Sequence, residues 1–323
     1  MTTMSMKAWI DDRLRHLMGM IPEPWYTWGN ALANAWIRFL DPELVAHPGT
    51  LHPDKTFYMI TDLPRSVGIA GWHDRVLGYM LRAESKGWIP VVAANMHEPR
   101  SAGGTWNDFF RPVSNFYLGE VLQSSNVVLA VKQGMIHKRY SKRNICRRHR
   151  LCEKVRLSDE AERFVGGRIE ELFRECPENM VAVRFRGTDY RYAVGHAKVP
   201  DVKDFCDTVV ADMEKWGVPV GKGEHIFVVT EEQEALDAIR QRFPSCRFVE
   251  KERFSDDKTG KYLCDRRLPT LTPKMNNMFY LLEIYALAKC DYLIGGVNGG
   301  VLMALNLNGN RYRGVHVLNN GVN

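Results

Sequence analysis

Between residues 158 and 318, short β-rich runs alternate with helix-length stretches, and no other feature of the 323-residue chain restricts its fold as much. A helix-like stretch over 158–176 leads into the strand-like MVAVRF (180–185), a helix over 202–216 and HIFVVT (225–230). A helix over 231–243, CRFVEKE (246–252), a helix over 275–290, DYLIGG (291–296), a helix over 299–308 and YRGVHVL (312–318) complete the series. Strands separated by whole helices cannot pair as hairpins. They form a parallel sheet with crossover helices on both faces. Ser158, Asp159 and Glu160 suit a helix start, where a side-chain oxygen and negative charge meet unpaired N–H groups.

The first half shows a shorter version of the same pattern. TFYMIT (56–61) reads as a strand, LPRSVGIAGW (63–72) as a glycine-bearing loop, HDRVLGYMLRAESKG (73–87) as a helix, and WIPVVAA (88–94) and NVVLAV (126–131) as further strands. Residues 1–50 read as a helical extension and hold Trp9, Trp25, Trp28 and Trp36, half of the eight tryptophans. Such indoles either pack on the body of the protein or form an acceptor-binding or membrane-surface patch; packing is the commoner use. The expected architecture is α/β, with two Rossmann-like domains, 51–157 and 158–323, behind a helical N-terminal extension.

Charge marks the junction. Residues 132–156 carry ten Lys/Arg and one acid, so the chain's +6 is +9 in this segment against −3 in the rest. That excludes a uniformly basic nucleic-acid binder. The segment suits an anionic acceptor, an anionic membrane surface or interdomain packing. No apolar run reaches the roughly 18–20 residues of a spanning helix, and charges interrupt the first twenty residues. A cytoplasmic protein, or one peripheral on the cytoplasmic membrane face, is expected. The seven cysteines are scattered and odd in number, so reduced thiols are expected. Cys146, His149 and Cys152 have two-residue gaps and no second pair, so no metal site is expected.

Open parallel sheets bind ligands at the carboxyl ends of their strands. Arg184-Phe185-Arg186-Gly187-Thr188-Asp189 follows one strand. A guanidinium there offers a planar fork to phosphate, Gly187 allows close backbone approach or positive φ, and Asp189 can hold Arg186. Gly295-Gly296-Val297-Asn298-Gly299-Gly300 joins a strand to a helix, and uncovered N–H groups there suit an anion. It matches neither the dinucleotide nor the P-loop spacing. Gly68 to Asp74, including Gly71 and His73, forms a third loop before a helix. Glu283 lies in an apolar helix, which allows a buried or cleft-facing carboxylate, although an exposed Glu on a polar helix face is the commoner case; a carboxylate can accept two parallel N–H donors, such as those of guanine.

These blocks, in this order, resemble the GDP-fucose-dependent fucosyltransferases over about residues 60–318. The resemblance implies a GT-B-like fold and an inverting, metal-independent transfer of a sugar, fucose first, from a GDP-sugar to a glycan or glycolipid. No cofactor beyond that donor is implied. The family's His-x-Arg-Arg-x-Asp motif falls on Arg184 to Asp189, which assigns the β-phosphate to Arg186. Its guanine-binding acid falls on Glu283 and its small phosphate-binding residues on Asn298 and Gly299, beside Gly300. Its strand ending in Thr and an acid falls on Thr230 and Glu231, and its Gly-rich loop on the segment with Gly71 and His73. The first motif residue is Arg184 instead of His, and the second motif arginine is Gly187. Residues 190–200 contain no carboxylate, so His196 is the candidate base. His73, Asp74 and Asp108 are expected near the acceptor. Two other readings stay open: a transferase of this architecture with a different nucleotide sugar, and a non-catalytic nucleotide- or anion-binding protein.

Overall fold

The computed structural model describes residues 43–61, 63, 67–93, 104–130, 142–192, 196–256, 258, 261, 263 and 266–321. The Trp-rich stretch and residues 132–141 of the basic segment lie outside the described residues. In the N-terminal half, β1 (Leu44–Ala46), β2 (Phe57–Ile60), β3 (Ile89–Val92) and β4 (Val127–Leu129) form a sheet in the order β1-β4-β2-β3. β2 pairs in parallel with β3 and β4, while β1 pairs antiparallel with β4, Leu44 opposite Leu129. This corrects the purely helical reading of residues 1–50. Three residues are too few to show a periodicity, and only β4, 80 residues away, makes them a strand.

The second sheet, β5 (Val181–Arg184), β6 (Ile226–Val229), β7 (Arg247–Phe248), β8 (Tyr292–Gly296) and β9 (Gly314–Leu318), is wholly parallel in the order β7-β6-β5-β8-β9. Every residue of β5 and β6 is buried, as expected of strands covered on both faces. The expected 246–252 strand is only two residues long.

In the N-terminal half the helices are α1 (Ile69–Lys86), α2 (Trp106–Phe109), α3 (Leu118–Val121) and α4 (Lys142–Cys152). Then follow α5 (Asp159–Phe173), α6 (Val202–Lys215), α7 (Gln233–Arg242), α8 (Pro273–Lys289) and α9 (Gly299–Asn308). The caps agree with the sequence chemistry. Ser158, Asp201, Thr272 and Asn298 each accept a first-turn N–H, and Gly87 and Gly309 end α1 and α9 with φ of 68° and 69°.

One hydrophobic core runs through both halves, joining Tyr58, Ile60, Trp72 and Val76 to Leu281, Ile284, Val301 and Leu305. A second lies under the other face of the C-terminal sheet, around Val183, Phe205 and Ile239. α9 packs on both α1 and α4, and α4 also packs on α1. The described part of the basic segment is therefore a wedge between the halves. Arg148 is ion-paired to Asp74 and Arg150 to Glu84, both on α1, while His149 Nδ1 lies 2.9 Å from the carbonyl of Asn306 on α9. No helix among the described residues is long and apolar enough to cross a membrane.

Candidate functional site

β5 is the first strand of its sheet in chain order. β6 and β7 lie to one side of it and β8 and β9 to the other, so the chain reverses direction across the sheet between β5 and β8. Arg184, the last residue of β5, sits opposite Gly295 of β8. Beyond these strand ends lies a small, half-open pocket. Its polar lining is Arg184, Arg186, Tyr190, Lys198 and Asn298, its walls include Phe185, Phe205 and Leu318, and no carboxylate lines it among the described residues. This is the crevice in which open parallel sheets take their ligands.

The two arginines are fixed by one carboxylate. Glu231 pairs with the Nη2 group of Arg184 through Oε1, and its Oε2 lies 3.4 Å from Arg186 Nη1. Burial opposes charge on Glu231, but the guanidiniums of Arg184 and Arg186 outweigh it and lower its carboxyl from the ordinary 4.5 to about 2. Asp189 holds Arg186 from the other side at 2.7 Å, as the spacing predicts, and the ring of Tyr190 lies 4.8 Å below that guanidinium. Arg186 thus has its fork pre-set before any ligand arrives.

Gly187 serves a different purpose from the expected one. Its φ is −101°, and the left-handed position is Thr188, with φ 49°. A Cβ at Gly187 would overlap Glu232 Oε2. That carboxylate accepts the Thr188 N–H at 2.8 Å and an Arg191 N–H at 2.6 Å, which holds the strained turn in place. Thr230 is fully buried, its carbonyl accepting from Arg253 Nε at 3.1 Å, so it shapes the strand end without facing the pocket.

Across the crevice, Asn298 caps α9: its Oδ1 accepts from Val301 N at 3.0 Å and its Nδ2 donates to Gly296 O at 3.0 Å. Gly299 brings the start of α9 against the first turn of α1; a Cβ there would stand 3.6 Å from Ala70 Cβ and 3.8 Å from Gly71 N. Two helix N-termini therefore abut at the junction of the halves. At Gly300 a Cβ would meet Tyr280 Oη at 2.8 Å, Ile284 Cδ1 at 2.9 Å and Arg184 Nε at 3.1 Å. Gly300→Ala is expected to cost about 1–3 kcal/mol through overpacking, read as a lower urea midpoint at unchanged slope.

Several expected site residues lie elsewhere. Gly71 and His73 are not in a loop, because α1 begins at Ile69. His73 is fully enclosed with neither ring nitrogen hydrogen-bonded, and burial first, then Arg148, push its pKa down to about 3. It is a neutral core side chain. Asp74 is buried against Arg148, and Asp108 closes a capping box with Thr105, so neither stands ready as an acceptor-side base. Glu283 is fully buried and outside the pocket lining; Lys251 Nζ holds its Oε2 at 2.8 Å and Arg253 lies 3.8 Å from its Oε1. His196 is half-buried, edge-on to Tyr190 at 4.3 Å, and does not line the pocket.

Lys198, Phe205 and Leu318 are pocket residues that sequence reasoning passed over, and Tyr190, which directly follows the Arg184–Asp189 segment, was given no role. Phe205 and Leu318 carry no signal beyond hydrophobicity. Among the described residues no group of His, Cys, Asp and Glu has the arrangement of a metal site.

No family model matches the sequence, and no curated protein matches it. Solved structures do. The fold is similar to that of the NodZ α-1,6-fucosyltransferase soaked with GDP-fucose, at a TM-score of 0.50 and 14% identity, covering 78% of this chain and 93% of that one. A fucosyltransferase NodZ from Bradyrhizobium gives a TM-score of 0.49 and 14% identity, over 77% and 93% of the two chains. A mutant of Arabidopsis thaliana FUT1 in complex with GDP gives 0.47 and 11% identity, over 98% and 80%. The first of these likenesses is one of fold: the chain has the two-halved, GT-B-like architecture expected from its sequence.

Proposed function

We propose that this GT-B-like chain is an inverting, metal-independent glycosyltransferase that takes its sugar from a GDP-sugar, fucose first, and passes it to a glycan or glycolipid hydroxyl. The carrying observation is that Arg186 and the start of α9 line one pocket, with no carboxylate among its described lining residues, at the switch point of the C-terminal sheet. As the bond from sugar to diphosphate breaks, negative charge grows on the leaving phosphate. Arg186 and the α9 N-terminus are fixed in advance to meet that charge, which is the arrangement electrostatic catalysis requires. Arg186 stays protonated throughout and acts as a charge, while His196, packed on Tyr190 outside the pocket lining, is the group we assign to take the acceptor proton, which requires it to turn towards the crevice.

The donor's base is the less constrained part. Glu283 is bound to Lys251, so reading guanine with it would require that pair to open. This favours testing a second reading, a transferase of the same architecture with another nucleotide. A thermal-shift panel of GDP, UDP and ADP separates the two. The nucleotide that fits is expected to stabilise the fold by about 2.7 kcal/mol at one hundred times its dissociation constant. Stabilisation by UDP alone would overturn the GDP reading. Hydrolysis of GDP-fucose that stops in EDTA would overturn metal independence, and a product with retained anomeric configuration would overturn inversion.

A further inference from the structure

Apart from Arg184 and Arg186, the pocket is lined by one other cation, Lys198. Among the described residues no ion pair holds Lys198, unlike the two arginines, which are both tied to Glu231. Its backbone N–H is fixed by the Gly321 carbonyl at 2.9 Å, so the segment carrying it is anchored beside the end of β9 while its ammonium has no acidic partner among the described residues. Lys198 is exposed, so its ammonium is free to reach a ligand, and a cation beside a pocket with no carboxylate among its described lining residues favours a ligand with more than one negative charge.

The turn after β5 explains why a second cation would come from so far along the chain. Position 187 stands directly beside Arg186 but cannot carry a side chain, because Glu232 fills that space to hold Thr188 and Arg191. Arg191 itself is drawn away to Glu232 and Asp256. Arg184 is fully enclosed, committed to Glu231 and overlain by Tyr280. Among the described residues, Lys198 is the pocket cation with no acidic partner.

We propose that Lys198 is a donor-binding residue that contacts the diphosphate together with Arg186. This rests on the function proposed above. A lysine gives a point charge on a flexible stem, so it adds attraction without the bidentate geometry that Arg186 supplies.

The test is calorimetric titration of wild type, Lys198→Ala, Lys198→Arg and Arg186→Ala with guanosine and with GDP, UDP and ADP, at two salt concentrations. For Lys198→Ala, GDP affinity is expected to fall about tenfold with a shallower salt dependence, while guanosine binding stays unchanged and Lys198→Arg stays near wild type. GDP binding unaffected by Lys198→Ala but lost in Arg186→Ala would overturn the role of Lys198 and leave the function standing. A tenfold loss for UDP or ADP, with no GDP binding by wild type, would overturn the GDP donor and leave Lys198 as a diphosphate contact. If wild type binds none of the three diphosphates, both proposals fall.

Discussion

Replacing Arg186 by Ala is expected to slow GDP release from GDP-fucose by about 10²–10³-fold, the usual effect of removing a pre-set charge from a developing anion. The guanidinium is held at 2.7 Å by Asp189 and at 3.4 Å by Glu231, so it contributes little reorganisation cost when the leaving phosphate forms. Arg186→Lys should fall between the two, because it keeps the charge and loses the planar fork. Initial rates of GDP release check this, with far-UV circular dichroism confirming that the variants fold. Equal turnover by wild type and Arg186→Ala would remove Arg186 from the mechanism.

The largest stability effect is expected at Glu231. Glu231→Gln leaves the guanidinium of Arg184 in a fully enclosed position without a counter-charge, and breaking one side of a buried pair costs about 3–5 kcal/mol. Urea unfolding measures it. Replacing Arg184 and Glu231 together by apolar residues of similar size should cost less than Glu231→Gln alone, because no charge is then stranded. A pH dependence follows. The Glu231 carboxyl titrates near 2 in the fold against 4.5 ordinarily, so its contribution is fully present above about 4.5 and is lost as the pH falls towards 2. The wild type should lose stability faster than Glu231→Gln across that window, and parallel curves would contradict the buried pairing.

Both effects depend on residues visible in the sequence, but only Arg186 came with an expected role. The RFRGTD segment marked a strand end with an arginine fork, and the Arg186–Asp189 pair forms as the spacing predicts. Glu231 looked like one more strand-end acid. Its work is to orient both arginines, and that depends on β5 and β6 lying side by side. His73 looked like a loop histidine because Gly68 and Gly71 suggested an irregular segment. α1 instead starts immediately after Gly68, which turns the imidazole into the core against Phe110. Lys198 was unreadable, because nothing in the sequence places it beside a strand end more than ten residues away.

By itself the sequence determined the parallel α/β architecture, the starts of the helices and the strand ends where a ligand belongs. These follow from local rules: hydrophobic periodicity, capping chemistry and the impossibility of pairing strands as hairpins across a helix. Only the tertiary structure decided that β5 and β8 adjoin, that α4 is a wedge between the halves, that Glu283 and His73 are enclosed, and that Lys198 lies beside the pocket. Each of those depends on a partner dozens of residues away. A polar group's role is set by what surrounds it after burial, and the order of residues along a chain does not encode those surroundings locally.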